Sequence, residues 1–560
     1  MLPYHIRKVA STPQLSPTEN QDLSELDISS LTDSLSSGSI STAFEGLEVD
    51  EELQGMKKWI HAILVVVFDV QFGPNIQFCY PAVEFSQADQ HNICFSAMPD
   101  TNSHSVDHST FSFRYRSDHN QQFMNGFVYF RQDKDESMKR GCKQRSVVIL
   151  TQHSYSGLFT TLSRMFEPFF SKGLYESIEA ACHNMNTWPF DQEYIQVPFV
   201  HEIVDIEFPE SLPQLRKTSK YSECILANSV EGQFFKTFHS IIDQAWLLWE
   251  LVLFGEPILI CATNPSLCSS AVLSLVDLIA PIKYGGDYRP YCTIQDKDFK
   301  SIFNSKASNG IIVGVTNKYF LHATEKWPTI IKLGKPNRMP SYKSSPVKGF
   351  LEFTEGLTTV HKRRILKDQN LLKKVLTSRQ DPASINDTIR QHFAQLTYQF
   401  LRPFELYFET LVQPGQNALP SMKKISEFHA DEFYLFLKSM KFNHIKTRRQ
   451  IDWYKLYKKF FHSINFSSAV SLAEKNLKKR LRREYLVSIS EFNVGDYLKN
   501  GSNHEIEVVD FLLHYKKEIS KHDVQCGVNR DLYQPIHKRI LEMFRLLSDD
   551  LKSSASHIIE

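Results

Sequence analysis

The residues best suited to covalent chemistry stand apart from one another in this sequence. His153-Ser154-Tyr155-Ser156-Gly157 is the nearest approach to a G-x-S-x-G nucleophile elbow. The elbow needs a strained strand-to-helix turn with glycine on both sides of the serine. Here only one glycine is present, and a serine just ahead of a helical pattern reads as a cap. Asp100, His104, Asp107 and His108 share one polar stretch and mix hard and imidazole ligands. Such a stretch could hold a metal, but a polar surface loop is the preferred reading, and no metal is assigned. Gly310 and Gly314 bracket Ile-Ile-Val with no Lys-Ser/Thr after them, so they mark a strand and not a phosphate-binding loop. Neither G-x-G-x-x-G nor His-Glu-x-x-His occurs. No catalytic residue, metal site or cofactor is therefore expected.

The remaining chemistry is electrostatic. From Lys438 to Arg483, fourteen Lys/Arg face two acids, Asp452 and Glu474, with Trp453, Tyr454, Tyr457, Phe460 and Phe461 interleaved. Lys475, Lys478, Lys479, Arg482 and Arg483 cover one face of a helix whose other face carries Val470, Ala473, Leu477, Leu481 and Tyr485. This is first a solvated face over a core stripe. Contact with an anionic membrane surface is the second reading, and nucleic acid is not expected as a partner.

The elements that would position these residues change character along the chain. Residues 1–55 are serine-rich and acidic, with too little apolar periodicity for a core. WIHAILVVVFDV from Trp59 and IQFCYP from Ile76 read as strands around a Gly73-Pro74-Asn75 turn. A polar loop is expected over 87–108, then strands at 111–116, 127–130 and 147–150, then helices over 157–170 and 175–185. The segment 207–222 is rich in Pro, Ser and Lys and reads as a linker. A long apolar helix is expected over 234–254, stopped by Gly255. A buried strand, Pro257–Ala262, follows, with Asn264 as N-cap of helix 265–279 and another strand at 311–315. Strand, helix, strand implies parallel pairing. From about Thr359 the pattern is helical. Ser384 with Asp387 resembles a capping box, and Pro403 is expected to kink or end its helix.

The chain has 560 residues, a 42% apolar share, a 23% charged share and a net charge of +1. Three to four domains fit that length, and the charge gives no global attraction to nucleic acid or membrane. The nine cysteines form no CxxC pair, and the opening MLPYHIRKVASTPQ lacks a secretory apolar run. Both lead us to expect reduced thiols in the cytosol.

An ordered set of short stretches resembles a known family. It begins with Phe68-Asp69, Gly73-Pro74, Ile76 and Tyr80-Pro81, and continues through Phe111–Arg116, Gly126–Gln132, Met138–Gly141, Glu179–Cys182 and Trp188-Pro189. Tyr284, Asp287–Tyr291 and Thr293-Ile294 complete it. Together these resemble the DENN domain-containing protein 6 subfamily, over about residues 59–550. The resemblance implies a multi-domain α+β and α/β fold. An upstream longin-like module would occupy 56–206, a linker 207–225, a central α/β module 226–350 and an all-helical downstream module 351–550. It further implies guanine-nucleotide exchange on a Rab-family small GTPase, without covalent chemistry, in the cytoplasm and at recycling endosomes. A non-catalytic Rab effector or membrane tether is the alternative. In the family the GTPase lies across the first two modules. The candidate contacts here are Asp287, Tyr288, Arg289 and Tyr291, followed by Tyr129, Arg131 and Arg116.

Overall fold

The computed structural model describes residues 53–99, 107–138, 141–190, 192, 194–208, 224–228, 233–303, 308–317, 320, 327–334, 354–413, 419–440, 445, 453–499, 504–518 and 532–555. The acidic, serine-rich stretch, most of the expected linker, and Asp100 and His104 lie outside these residues.

The first sheet contains β1 (Ala62–Asp69), β2 (Gly73–Tyr80), β3 (Asp107–Arg116), β4 (Phe123–Lys134) and β5 (Cys142–Thr151), in the order β2-β1-β5-β4-β3. All its pairings are antiparallel. Gly73 takes φ +75° at the β1–β2 turn, and Asp69 Oδ1 accepts from the amides of Gln71 and Phe72. Ile63, Val65, Phe127, Tyr129, Val147 and Ile149 face the helices Ser156–Arg164 and Leu174–Asn186. Leu64, Val66, Phe111, Phe113, Val128 and Val148 face the other way, into a second core. Cover on both faces explains why these strands read as continuous apolar runs and not as an alternation.

A small sheet of β6 (Tyr194–Phe199), β7 (Glu202–Glu207) and β8 (Ile225–Leu226) follows. β8 pairs parallel to β7, and the Ala227 carbonyl accepts from Gly157 and Leu158. Residues 225–228 thus pack with the first sheet, past the border expected at 226.

The second sheet contains β9 (Ile258–Ala262), β10 (Asp287–Arg289), β11 (Ile311–Val315), β12 (Thr329–Leu333) and β13 (Gly356–Thr359), in the order β10-β11-β9-β12-β13. The first four are parallel, as the strand–helix–strand pattern implied, and β13 is antiparallel to β12. The segment expected to be helical from 351 therefore opens with an edge strand of this sheet.

Four local expectations need correction. The stretch 87–108 is not all loop: Gln87–Ser96 is a helix, capped by Ser86, whose hydroxyl accepts from the Asp89 amide. Its apolar signal is weak because two of its buried residues are Asp89 and Asn92. The helix expected over 234–254 is broken into Gln233–Phe238, a 3-10 turn His239–Gln244 and Ala245–Leu253, with Ile241 at φ −126°. Pro403 does not end its helix, which runs on from Pro382 to Thr410. Packing overrides the proline there: Phe400, Phe404 and Phe408 are buried in the core, and the Tyr457 hydroxyl donates to the Phe400 carbonyl at 2.6 Å. That helix is capped by Asp381, whose carboxylate accepts from the Ser384 amide, and not by Ser384. The Asn264 cap and the stop at Gly255 (φ +65°) stand as read.

The helices Trp453–Phe461 and Phe466–Glu491 share one core with Ala245–Leu253 and Pro382–Thr410. A further core joins the end of Phe466–Glu491 to His504–Glu518 and Tyr533–Arg545. Among the described residues no helix is long and apolar enough to cross a membrane.

The strap that follows β13 is tied down by a buried carboxylate. Glu250 Oε1 accepts from the amides of Arg364 and Ile365 at 2.8 and 2.7 Å. Burial raises the Glu250 pKa above the ordinary glutamate range, and the Ile365 and Arg364 amides, with the charges of Arg364 and Arg363, pull it part of the way back. A raised folded-state pKa means that the native state keeps its proton to higher pH than the unfolded chain. Stability therefore falls as pH rises from about 4.5 through the raised value, then levels. Glu250→Gln keeps an acceptor in place and should flatten that limb in urea midpoints measured across the window. An unchanged limb would show that another group causes it.

Candidate functional site

The candidate contacts from the central segment converge on a seam between the two large sheets. β3 is an edge strand of the first sheet and β10 of the second. Their edges are stitched by two arginines that each reach across. Arg114 Nη1 donates to the Tyr288 carbonyl at 3.4 Å and to Asp287 Oδ1 at 3.2 Å. Arg289 Nη1 donates to the Arg114 carbonyl at 3.3 Å. Carbonyls that a sheet edge would otherwise leave unpaired are thus used to join two modules.

Phe123 sits among these cations. The Arg114 guanidinium lies 3.7 Å from its ring centre on one side and 4.0 Å from the Tyr288 ring on the other. Arg116 and Arg289 lie 5.4 and 5.5 Å from the same phenyl ring. Such cation–π contacts contribute about 0.5–2 kcal/mol each, more when desolvated.

Arg289 is 3% exposed and answers three carboxylates. Its Nε lies 3.0 Å from Asp287, and its Nη2 lies 2.7 Å from Asp298. Its Nη1 lies 3.8 Å from Asp296, whose side chain is 2% exposed. Burial opposes the charge on Arg289, but the three aspartates outweigh it and raise its pKa above the usual arginine value. Burial likewise raises the Asp296 pKa, and Arg289 limits the rise. A second tie lies nearby, where Lys297 Nζ meets Asp89 at 2.9 Å and Asp118 at 2.5 Å. Lys297 and the Asp89–Asp118 pair were not singled out from sequence. Asp89 lies in the helix that was missed, and nothing local marks it as a partner of residue 297.

The seven candidate contacts differ in what they can touch. Tyr288 and Tyr291 are buried; Tyr291 meets Phe111 edge-on in the second core of the first sheet. Tyr129 is buried against Phe170 in the first sheet's other core. Arg131 is held by Asp133 at 2.7 Å. Asp287 is part-exposed, and Arg116 is exposed at the end of β3. Arg289, Tyr288 and Tyr291 therefore set the relation of the two sheets, while Arg116 and Asp287 reach solvent beside it.

The other candidates also have places. Ser156 does not cap its helix by side chain; its hydroxyl donates to the Asn228 carbonyl at 3.0 Å, and His153 Nε2 contacts the Lys58 carbonyl at 2.7 Å. No nucleophile–base pair forms there. Asp107 and His108 lie in β3, paired with Gln132 and Arg131. Among the described residues no His/Cys/Asp/Glu group is arranged to hold a metal ion. Cys94, Cys182 and Cys261 are buried, and burial pushes each thiol up to about 12, so these are poor nucleophiles. On the long basic helix, Lys475, Lys478 and Lys479 are exposed and Arg482 and Arg483 half-buried. Lys478 pairs with Glu474 at 2.6 Å, and Arg480 with Glu409 at 3.0 Å. Acids thus interleave with that face more than the local sequence indicates.

These features define a class: a multi-domain protein with one antiparallel and one mixed sheet joined edge to edge and continued by an all-helical region. The comparisons with known proteins specify it. Residues 60–194 match the family "Transport protein Avl9", and residues 232–337 match "Stabilization of polarity axis". The chain is 28% identical over 512 residues to protein DENND6B of Mus musculus, covering 82% of this chain and 86% of that protein. It is 27% identical over 557 residues to mouse protein DENND6A, covering 89% and 90%. The DENND6 homolog of Dictyostelium discoideum is 29% identical over 544 residues, covering 79% and 74%. Over most of its length the chain is thus similar to proteins of the DENN domain-containing protein 6 family.

Proposed function

We propose that this chain is a guanine-nucleotide exchange factor for a Rab-family small GTPase, acting at recycling endosomes. The observation that carries the reading is likeness to DENND6 proteins over most of the chain. In this reading residues 56–206 are the longin-like module, with 225–228 packed back on it. The second sheet is the central module, including Gly356–Thr359, and the remainder is the downstream helical module.

An exchange factor makes no covalent bond. It works by binding the nucleotide-poor GTPase better than the GDP-bound form, so its power is bounded by that difference in affinity. This favours a rigid platform over a catalytic constellation. The Arg114–Arg289 seam would supply the rigidity, with Arg116 and Asp287 at its solvent edge as direct contacts.

The test is release of a fluorescent GDP analogue from a panel of purified Rab GTPases. Acceleration of one or two members is the expected result. No acceleration, with binding confined to a GTP-loaded Rab, would overturn the reading in favour of an effector or tether. With a responsive Rab in hand, Arg116→Glu should slow release about tenfold or more, the scale seen when an energetically important interface side chain is replaced. An unchanged rate would remove Arg116 from the docking surface.

A further inference from the structure

We propose that residues 360–379 form a patch that lies on an anionic phospholipid bilayer. The patch is the strap after β13 together with the helix Gln369–Thr377. From Val360 to Arg379 there are seven Lys/Arg and one acid, Asp368. That acid is occupied as the helix N-cap, accepting from the amides of Asn370 and Leu371 at 3.0 Å. Three large apolar side chains stand in solvent within the same stretch: Val360 at 76%, Leu366 at 43% and Leu376 at 55% exposure.

The exposure follows from how the strap is held. Ile365 is 2% exposed and plugs the core, fixed by its amide bond to Glu250. Lys367 is drawn to Asp243 at 2.9 Å. In extended chain, neighbours of an inward residue point outward, so anchoring Ile365 turns Leu366 to solvent. On the helix, Val375 faces the core. At 100° per residue, Leu376 lies on its flank, and Lys373 lies beyond Leu376. Exposed aliphatics bordered by Lys362, Lys373, Lys374 and Arg379 are the combination an interfacial membrane contact needs. Apolar groups enter the headgroup boundary while the cations meet lipid phosphates and carboxylates.

The exposed apolar residues of the sheets lack that setting. Val70 and Phe72 follow Asp69 at a hairpin tip, and Ile203 lies between Glu202 and Asp205. The long helix bearing Lys475, Lys478 and Lys479 carries no large exposed apolar side chain, and its cations alternate with Glu474 and Glu484. Charge and apolar exposure coincide on the strap.

The test is co-sedimentation of the full chain with vesicles. One set is phosphatidylcholine alone; the other is four parts phosphatidylcholine to one part phosphatidylserine. Binding to the second set only, weakening as salt rises, is expected. Each lysine at an anionic surface contributes about fivefold in partitioning, so K373E/K374E should bind about thirtyfold more weakly or worse. Leu366→Ser with Leu376→Ser should remove the binding that survives in high salt. Lys475→Glu with Lys478→Glu should bind as the parent does. All these sites are exposed, so the variants should share the parent's urea midpoint. The patch is independent of the exchange reading, so K373E/K374E should accelerate GDP release from a responsive Rab in vesicle-free solution as the parent does. The proposal is overturned by failure of the parent to sediment with anionic vesicles, or by parental binding of K373E/K374E. Loss confined to the Lys475/Lys478 variant would also overturn it, as would slowed exchange in K373E/K374E without vesicles.

Discussion

Arg289→Leu is expected to unfold at a urea midpoint corresponding to about 3–5 kcal/mol less stability, the scale for removing one partner of a buried charge cluster. The side chain is 3% exposed, so water cannot replace it. Its loss leaves Asp296 buried and uncompensated, releases Asp298 and strips a donor from the Arg114 carbonyl. Arg289→Glu should be worse, since it places a fourth carboxylate among three. The deficit should depend on pH in a definite sense. Burial already raises the Asp296 pKa, and losing Arg289 removes the main influence that holds it down. The folded variant then holds a proton that the unfolded chain gives up at about pH 4, so its penalty grows as pH rises above that value and shrinks as pH falls. Adding Asp296→Asn to Arg289→Leu should recover part of the loss, a coupling typical of residues in one network. If Arg289→Leu unfolds within about 1 kcal/mol of the parent, the seam is not a strong joint. A slowed exchange rate in such a variant would report on the angle between the sheets, since Arg289 itself is too buried to touch the GTPase.

The contrast between Arg289 and Arg116 shows what could be read from the chain alone. The sequence reading places Arg289 ahead of Arg116 as a GTPase contact, and nothing local says which of the two is buried. Only the meeting of β3 with β10 buries one and leaves the other in water, and the two strands lie some 170 residues apart. Elements whose signal is local were legible: the β1–β2 hairpin, the parallel β9 and β11, the Asn264 cap and the Gly255 stop. Elements fixed by distant partners were not. The helix at Gln87–Ser96 carries Asp89 inward because Ser117, the Asp118 amide and Lys297 are there to meet it, so its pattern reads as polar loop. Pro403 reads as a helix kink or end, and the aromatic packing that carries the helix past it comes from elsewhere, in part from Tyr457. The strap patch also escaped notice. Nothing local separates Leu366 from Ile365, and only the fold shows that Ile365 takes the inward position.

Asn465 should be another highly sensitive position, and its role is equally non-local. The sequence marks it only as an Asn-x-Ser site. In the fold it is fully buried, and its side chain joins the helical region to the second sheet. Nδ2 donates to the carbonyls of Val252 and Leu253 at 2.8 and 3.1 Å. These belong to the last turn of the helix Ala245–Leu253, where carbonyls run out of intrahelical donors; Val252 also accepts from the Gly255 amide at 3.0 Å. Oδ1 accepts from the Gly285 amide at 2.9 Å. Next to it, Ile464 fills a cradle of glycines that lead into the parallel strands. A Cβ on Gly285 would lie 2.3 Å from the Ile464 carbonyl oxygen, and one on Gly310 would lie 2.5 Å from Ile464 Cδ1. Asn465→Ala leaves two backbone groups, the Leu253 carbonyl and the Gly285 amide, unpaired in a dry joint and should cost about 3 kcal/mol. Asn465→Asp should cost more, because a carboxylate would face two carbonyls in place of an amide donor. Gly285→Ala should match or exceed both, since its new methyl meets backbone and not a flexible side-chain end. Urea midpoints give the ranking, and amide exchange at Gly285 reads the joint directly. If Asn465→Ala and Asn465→Asp both unfold with the parent, the Leu253 carbonyl and the Gly285 amide find other partners. The helical region would then be held to the sheet by its apolar core alone.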